Sequence, residues 1–213
     1  MRKILARHKA LWSKSFFQDE LMESILFLGM SLFINYHAGK FALSHMSNYV
    51  TDIILDNVPV YNVDLIFGFG AIVMWIFVGI LLVLDPKKLP FVIKAVALLT
   101  AIRSLFIMMT HLGPYPERSF LSTNNIVQKF TFGADYFFSG HTAFPYLFAL
   151  IFWEKPWLRI LFVCSSIVFA ASVLLGHLHY SIDVFAAFFI TYSIYHIAQK
   201  IFSRDFQLFN SKE

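Results

Sequence analysis

The chain alternates long apolar blocks with short polar connections. Leu65 to Leu84 carries no charged residue in 20 positions, the length needed to cross about 30 Å of hydrocarbon at about 1.5 Å per residue. With five further blocks of similar kind, the pattern predicts spans at 21–40, 65–84, 90–111, 136–153, 157–176 and 184–203. The expected fold class is all-α: a polytopic membrane protein, a six-transmembrane-helix bundle. Residues 1–20 and 204–213 read as cytoplasmic N- and C-terminal tails around one six-span membrane domain, 21–203. Between the first two spans, Met46, Val50, Ile53 and Ile54 separate from Asn48, Asp52 and Asp56 at helical spacing. This predicts a short amphipathic helix at the interface, and an ordinary loop accommodates the same residues.

Composition agrees with the pattern. Only 14% of residues are charged and 58% are hydrophobic, against about 25% charged in a soluble domain. The formal net charge is +4. Its distribution points to membrane lipids and not to nucleic acid as partners. Of the 17 lysines and arginines, twelve fall on the side shared by both tails and the second and fourth connections. Three, Lys40, Arg118 and Lys129, fall on the other side. That bias places both termini in the cytoplasm. The opening residues lack the pattern of a cleaved signal and read as a tail. The single cysteine, Cys164, has no intrachain partner for a disulfide and is expected as a small buried packing residue.

Two segments carry candidate chemistry. The first, Gly133-Ala-Asp-Tyr-Phe-Phe-Ser-Gly-His-Thr142, enters the fourth span. The second, His177-Leu-His-Tyr-Ser-Ile-Asp-Val184, enters the sixth. Each opens a span running inward, so both belong on one non-cytoplasmic face. His179 and Asp183 are four apart, which on a helix puts them within reach of each other. An aspartate that holds one imidazole nitrogen leaves the other as nucleophile or base. His141 supplies a second imidazole just after Ser139-Gly140. There a helix start offers unpaired N–H groups for a phosphate, and the glycine admits an oxygen close to the backbone. Other readings stay open. Either histidine can be a polar anchor, His179–Asp183 can be a purely structural bond, and His141, His177, His179 and Asp183 could hold a metal. Arg103 lies 14 residues past Leu89, about 20 Å along a helix. It can neutralise a phosphate at the depth of the motifs, or snorkel. Lys94, nearer the cytoplasmic end, reads as snorkelling.

Phe138-Ser-Gly-His-Thr142 and His179-Tyr-Ser-Ile-Asp-Val184 resemble the two signature motifs of the sphingomyelin synthase family, a branch of the type 2 phosphatidic acid phosphatase superfamily. Arg103-Ser-Leu-Phe106, with Thr110 and Pro114, resembles that family's arginine-containing motif. The resemblance covers about residues 100–195 and implies six spans with both motifs on the non-cytoplasmic side. It implies His179 as nucleophile on phosphorus, Asp183 as its orienting partner and His141 as proton donor to the leaving oxygen. Arg103, Asp135, Ser139, Gly140 and Tyr180 would bind phosphate or head group. Neither cofactor nor metal is implied. The family usually has Cys-Gly ahead of the first-motif aspartate, where this chain has Gly133-Ala134.

The superfamily's phosphatases typically carry a lysine followed seven residues later by Arg-Pro, and an arginine six residues before the nucleophilic histidine. Here Lys94 and Arg103 are nine apart, Ser104 follows, and Val173 stands six before His179. A phosphomonoester is a dianion that wants the extra cations, whereas a phosphodiester carries one charge. The expected partners are therefore a phospholipid donor and a lipid-alcohol acceptor. A lipid phosphatase and a non-enzymatic membrane protein of the same fold are the alternatives.

Overall fold

The computed structural model describes residues 8–119 and 137–211. All their regular structure is helical: α1 (Ser15–Ser44), α2 (Leu65–Leu84, opening with a π-helical turn Leu65–Gly70), α3 (Leu89–Met109), α4 (Gly140–Ile151), α5 (Pro156–Leu175), α6 (Ser181–Ile201) and α7 (Ser203–Asn210). Five of these, α1, α2, α3, α5 and α6, are long and apolar enough to cross a membrane. The remaining expected span, 136–153, contains α4, whose 12 residues reach only about 18 Å at helical rise. Residues 120–136 lie outside those described.

α1 packs along α3, α4 packs against α5 and α6, and α3 reaches α6. One continuous apolar cluster joins them, with Phe91, Leu99, Phe138, Leu147, Phe148 and Phe162 among its fully buried members. From α2, Trp75 meets Phe144 and Phe148 of α4 at ring distances of 5.1 and 5.4 Å. Facing outward are Leu26, Met109 and Phe189. Apolar residues on both faces are what a helix in lipid carries.

Four expectations change. α1 begins at Ser15, ahead of the expected start at 21, and Glu20 and Glu23 within it pair with Lys94 across the bundle. Lys94 does not snorkel: it is 2% exposed, and its Nζ lies 2.7 Å from Glu20, 2.9 Å from Asp205 and 3.3 Å from Glu23. Asp205 belongs to α7, so the expected C-terminal tail folds back onto the bundle, with Phe209 against Phe91 and Phe152. Cys164 is exposed on the outside of α5 and does not fill the core.

The motif segments and the long connection 45–64 meet at one end of the bundle. The amphipathic helix expected in that connection does not form beyond a turn at 53–57. The connection is instead a strap across the bundle end. Ser47 N donates to His111 O at 2.8 Å and Gly113 N to Asn48 O at 3.1 Å. Any side chain at position 113 would strike the Ser47 carbonyl, so this crossing needs glycine. Farther along, Tyr61 N donates to Leu175 O at 2.8 Å.

Candidate active site

The second motif forms the turn between α5 and α6. His179 Nδ1 donates to Asp183 Oδ2 at 3.3 Å, and Tyr180 N donates to the same oxygen at 3.0 Å. The i,i+4 spacing works as expected because Asp183 sits in the first turn of α6. With its proton on Nδ1, the His179 ring carries its lone pair on Nε2. His179 is 6% exposed and Asp183 fully buried. Asp183 Oδ1 has no hydrogen-bond partner, an uncommon state for a buried carboxylate oxygen.

The first motif starts α4. Ser139 is the N-cap, its Oγ accepting from Thr142 N at 3.4 Å, and Gly140 and His141 open the helix. Its position against the second motif is fixed by backbone, since Ser139 N donates to Asp183 O at 3.1 Å. Arg103, 8% exposed on α3, donates from Nε to Phe138 O at 2.9 Å. Its guanidinium flanks Gly140: a Cβ there would lie 3.5 Å from Nε and 3.7 Å from Cζ. Orphan N–H groups of a helix start and a guanidinium thus share one small space, the arrangement that holds a phosphate oxygen. The backbone of Ser139, Gly140 and His141, with Arg103, His179, Tyr180 and Asp183, therefore comes together around two fixed contacts. Asp135 lies outside the described residues.

His141 is half-buried. Its ring stacks on Phe67 at 3.8 Å, and Nε2 donates to the Phe67 carbonyl at 3.2 Å. Phe67 lies in the π-helical turn of α2, a local irregularity common at functional sites and one with no sequence signal. His177 stands apart from this set. Its ring nitrogens meet the carbonyls of Glu117 at 2.9 Å and Val58 at 3.0 Å, so the imagined four-ligand metal arrangement does not form. Its backbone is left-handed, φ 51°, and the residue pins the strap to the turn after α5.

Among the described residues, three lysine or arginine side chains are buried, Lys88, Lys94 and Arg103. Only Arg103 stands at the motif end. Val173 is fully buried in a cluster with Phe67, Ala170 and Val184.

The PAP2 superfamily C-terminal domain matches residues 133–200, the stretch that holds both motifs. No curated protein and no solved structure matches the chain. The match and the all-helical membrane architecture support the type 2 phosphatidic acid phosphatase superfamily and, with it, a lipid phosphatase or phosphotransferase type of activity in an integral, multi-pass membrane protein.

Proposed function

We propose that the chain is a membrane lipid phosphotransferase of the sphingomyelin synthase-like kind, moving a phospho-head group from a phospholipid to ceramide or diacylglycerol. One observation carries the choice over phosphatase chemistry. At the phosphate there is a single buried arginine among the described residues, and Val173 fills with apolar packing the position where superfamily phosphatases place another. One cation matches a phosphodiester better than a phosphate dianion.

In this reading His179 Nε2 attacks phosphorus and the bond to the diacylglycerol oxygen breaks. His141 supplies the proton that the leaving oxygen takes up. The acceptor hydroxyl then attacks the phosphohistidine, gives its proton to His141, and the P–N electron pair returns to His179. Because Nε2 of His141 is engaged by Phe67, its Nδ1 is the nitrogen that exchanges this proton. Arg103 and the amides of Gly140 and His141 hold the phosphoryl oxygens. The site faces the non-cytoplasmic side, with both termini in the cytoplasm, in keeping with the charge bias.

The test uses purified protein in vesicles with a phosphorus-labelled donor phospholipid, with and without lipid alcohol. A new labelled phospholipid that forms only with acceptor is the expected result. Inorganic phosphate released from phosphatidic acid at a rate that ignores acceptor would establish the phosphatase instead.

A further inference from the structure

We propose that Asp52, in the strap, is a positioning residue for the His179–Asp183 pair. The inference rests on the catalytic roles proposed above and concerns how they are held. Ser181 is the first residue of α6, after the N-cap Tyr180, whose own N–H is taken by Asp183. The Ser181 N–H is thus one of the donors that a helix start leaves unpaired. It is taken by a residue 129 positions earlier: Asp52 Oδ2 accepts from it at 2.7 Å.

The other oxygen, Oδ1, accepts from Ile54 N at 2.9 Å and Leu55 N at 3.1 Å. Three N–H groups therefore converge on one buried carboxylate. Burial pushes the Asp52 carboxyl up, but the bonds from Ser181, Ile54 and Leu55 outweigh it and hold the group below its ordinary range. The strap, with Gly113 bonded to it, also grips the neighbouring residue. Tyr180 Oη donates to Gly113 O at 2.7 Å and accepts from Val50 N at 3.4 Å.

The mechanical consequence concerns the turn from His179 to Asp183. Internally it is tied by the two bonds to Asp183 Oδ2. Externally it is held between Ser139 N, which donates to Asp183 O, and Asp52, which takes Ser181 N. Asp52 touches no reacting atom. It sets the angle from which His179 meets a phosphorus held at Gly140, and a small error in such an approach is costly.

Two variants break the bond from opposite sides. In Asp52→Asn the amide has one acceptor oxygen, so it can keep the Ile54–Leu55 turn or serve Ser181, not both. In Ser181→Pro the donor itself is removed at the first helical position, where proline fits a helix, and the extended Tyr180 tolerates a following proline. Each variant is expected to keep its thermal midpoint and its KM within about threefold while kcat falls about 10- to 100-fold. Combined with Asp183→Asn, either should add no further loss, because it acts through the same turn.

A kcat within about twofold of the parent in both single variants, or losses that multiply in the double variants, would overturn the inference. If one variant does not fold, the other carries the test. His179→Ala separates the two levels. If it stays active, the catalytic reading itself is wrong. If it is dead while Asp52→Asn and Ser181→Pro turn over normally, only the role of Asp52 falls.

Discussion

Replacing Gly140 with alanine should move stability and activity in opposite directions. Position 140 is the first residue of α4, with Ser139 as N-cap. A Cβ built there meets Arg103 Nε at 3.5 Å, Phe144 Cε2 at 3.6 Å and Arg103 Cζ at 3.7 Å. These are ordinary contact distances, so the folded protein accepts the methyl group without a clash. Removing a helical glycine should stabilise by about 0.5–1 kcal/mol. The methyl group, however, fills the space between the helix N–H groups and the guanidinium. A phosphoryl oxygen excluded from that space loses one bond to an amide and one to Arg103. At about 1.5–3 kcal/mol for each charged hydrogen bond, the loss is about 3–6 kcal/mol. That corresponds to a rate lower by about 10²- to 10⁴-fold. The assay pairs head-group transfer with thermal unfolding on the same preparation. A Gly140→Ala protein that is folded and transfers within about threefold of the parent rate would show that no phosphate sits between Gly140 and Arg103.

His141→Ala, His179→Ala and Asp183→Asn should each lower transfer by about 10³-fold or more, with helical content by circular dichroism unchanged. His177 holds a left-handed backbone and two carbonyl contacts, so His177→Ala should melt below His177→Gly, while the rate per folded molecule survives in both. Burial pushes the Asp205 carboxyl up to about 6 from an ordinary 3.8. Between those values the folded chain keeps a proton that the unfolded chain releases, so stability should fall as pH rises from about 4 to about 6. A thermal midpoint that is equally steep over this range in Asp205→Asn would reject that assignment. A cysteine at Ile53, which is 82% exposed in the strap, should react with an impermeant reagent outside intact cells in a Cys164→Ser background. A cysteine at Lys87 should not, and the reverse pattern would invert the topology.

Local regularities carried most of the fold and the local geometry of the candidate site. The uncharged block 65–84 is α2 to the residue. The four-residue spacing of His179 and Asp183 is the hydrogen bond that forms. What was illegible depends on partners remote in sequence. Glu20 looked like a span boundary because Lys94, which satisfies it, lies 74 positions away. Asp52 looked like one residue of a polar helix face, whereas its Ser181 partner lies 129 positions away. The C-terminal segment looked like a tail because Lys94, the partner of Asp205, lies 111 positions away. The π-helical turn carrying Phe67 follows from packing beside His141, which no local pattern announces.

The shortness of α4 bears on the thickness of the surrounding bilayer. α4 ends at Ile151, and the next residue, Phe152, stacks with Phe162 and packs on Phe209 at the end opposite the motifs. From there its 12 residues lift Gly140 by only about 18 Å, and Arg103 stands about 21 Å above the start of α3. On the proposed function, a phosphate held between Gly140 and Arg103 would thus lie roughly 10 Å beneath the far edge of a 30 Å hydrocarbon layer. A donor lipid of the proposed kind would then have to sink its head group by that amount, or the membrane would have to dimple to deliver it. Short-chain or thin bilayers lower the energy of both routes, since mismatch costs only fractions of a kcal/mol per Å but accumulates with depth. Membrane thickness thereby becomes a determinant of substrate access.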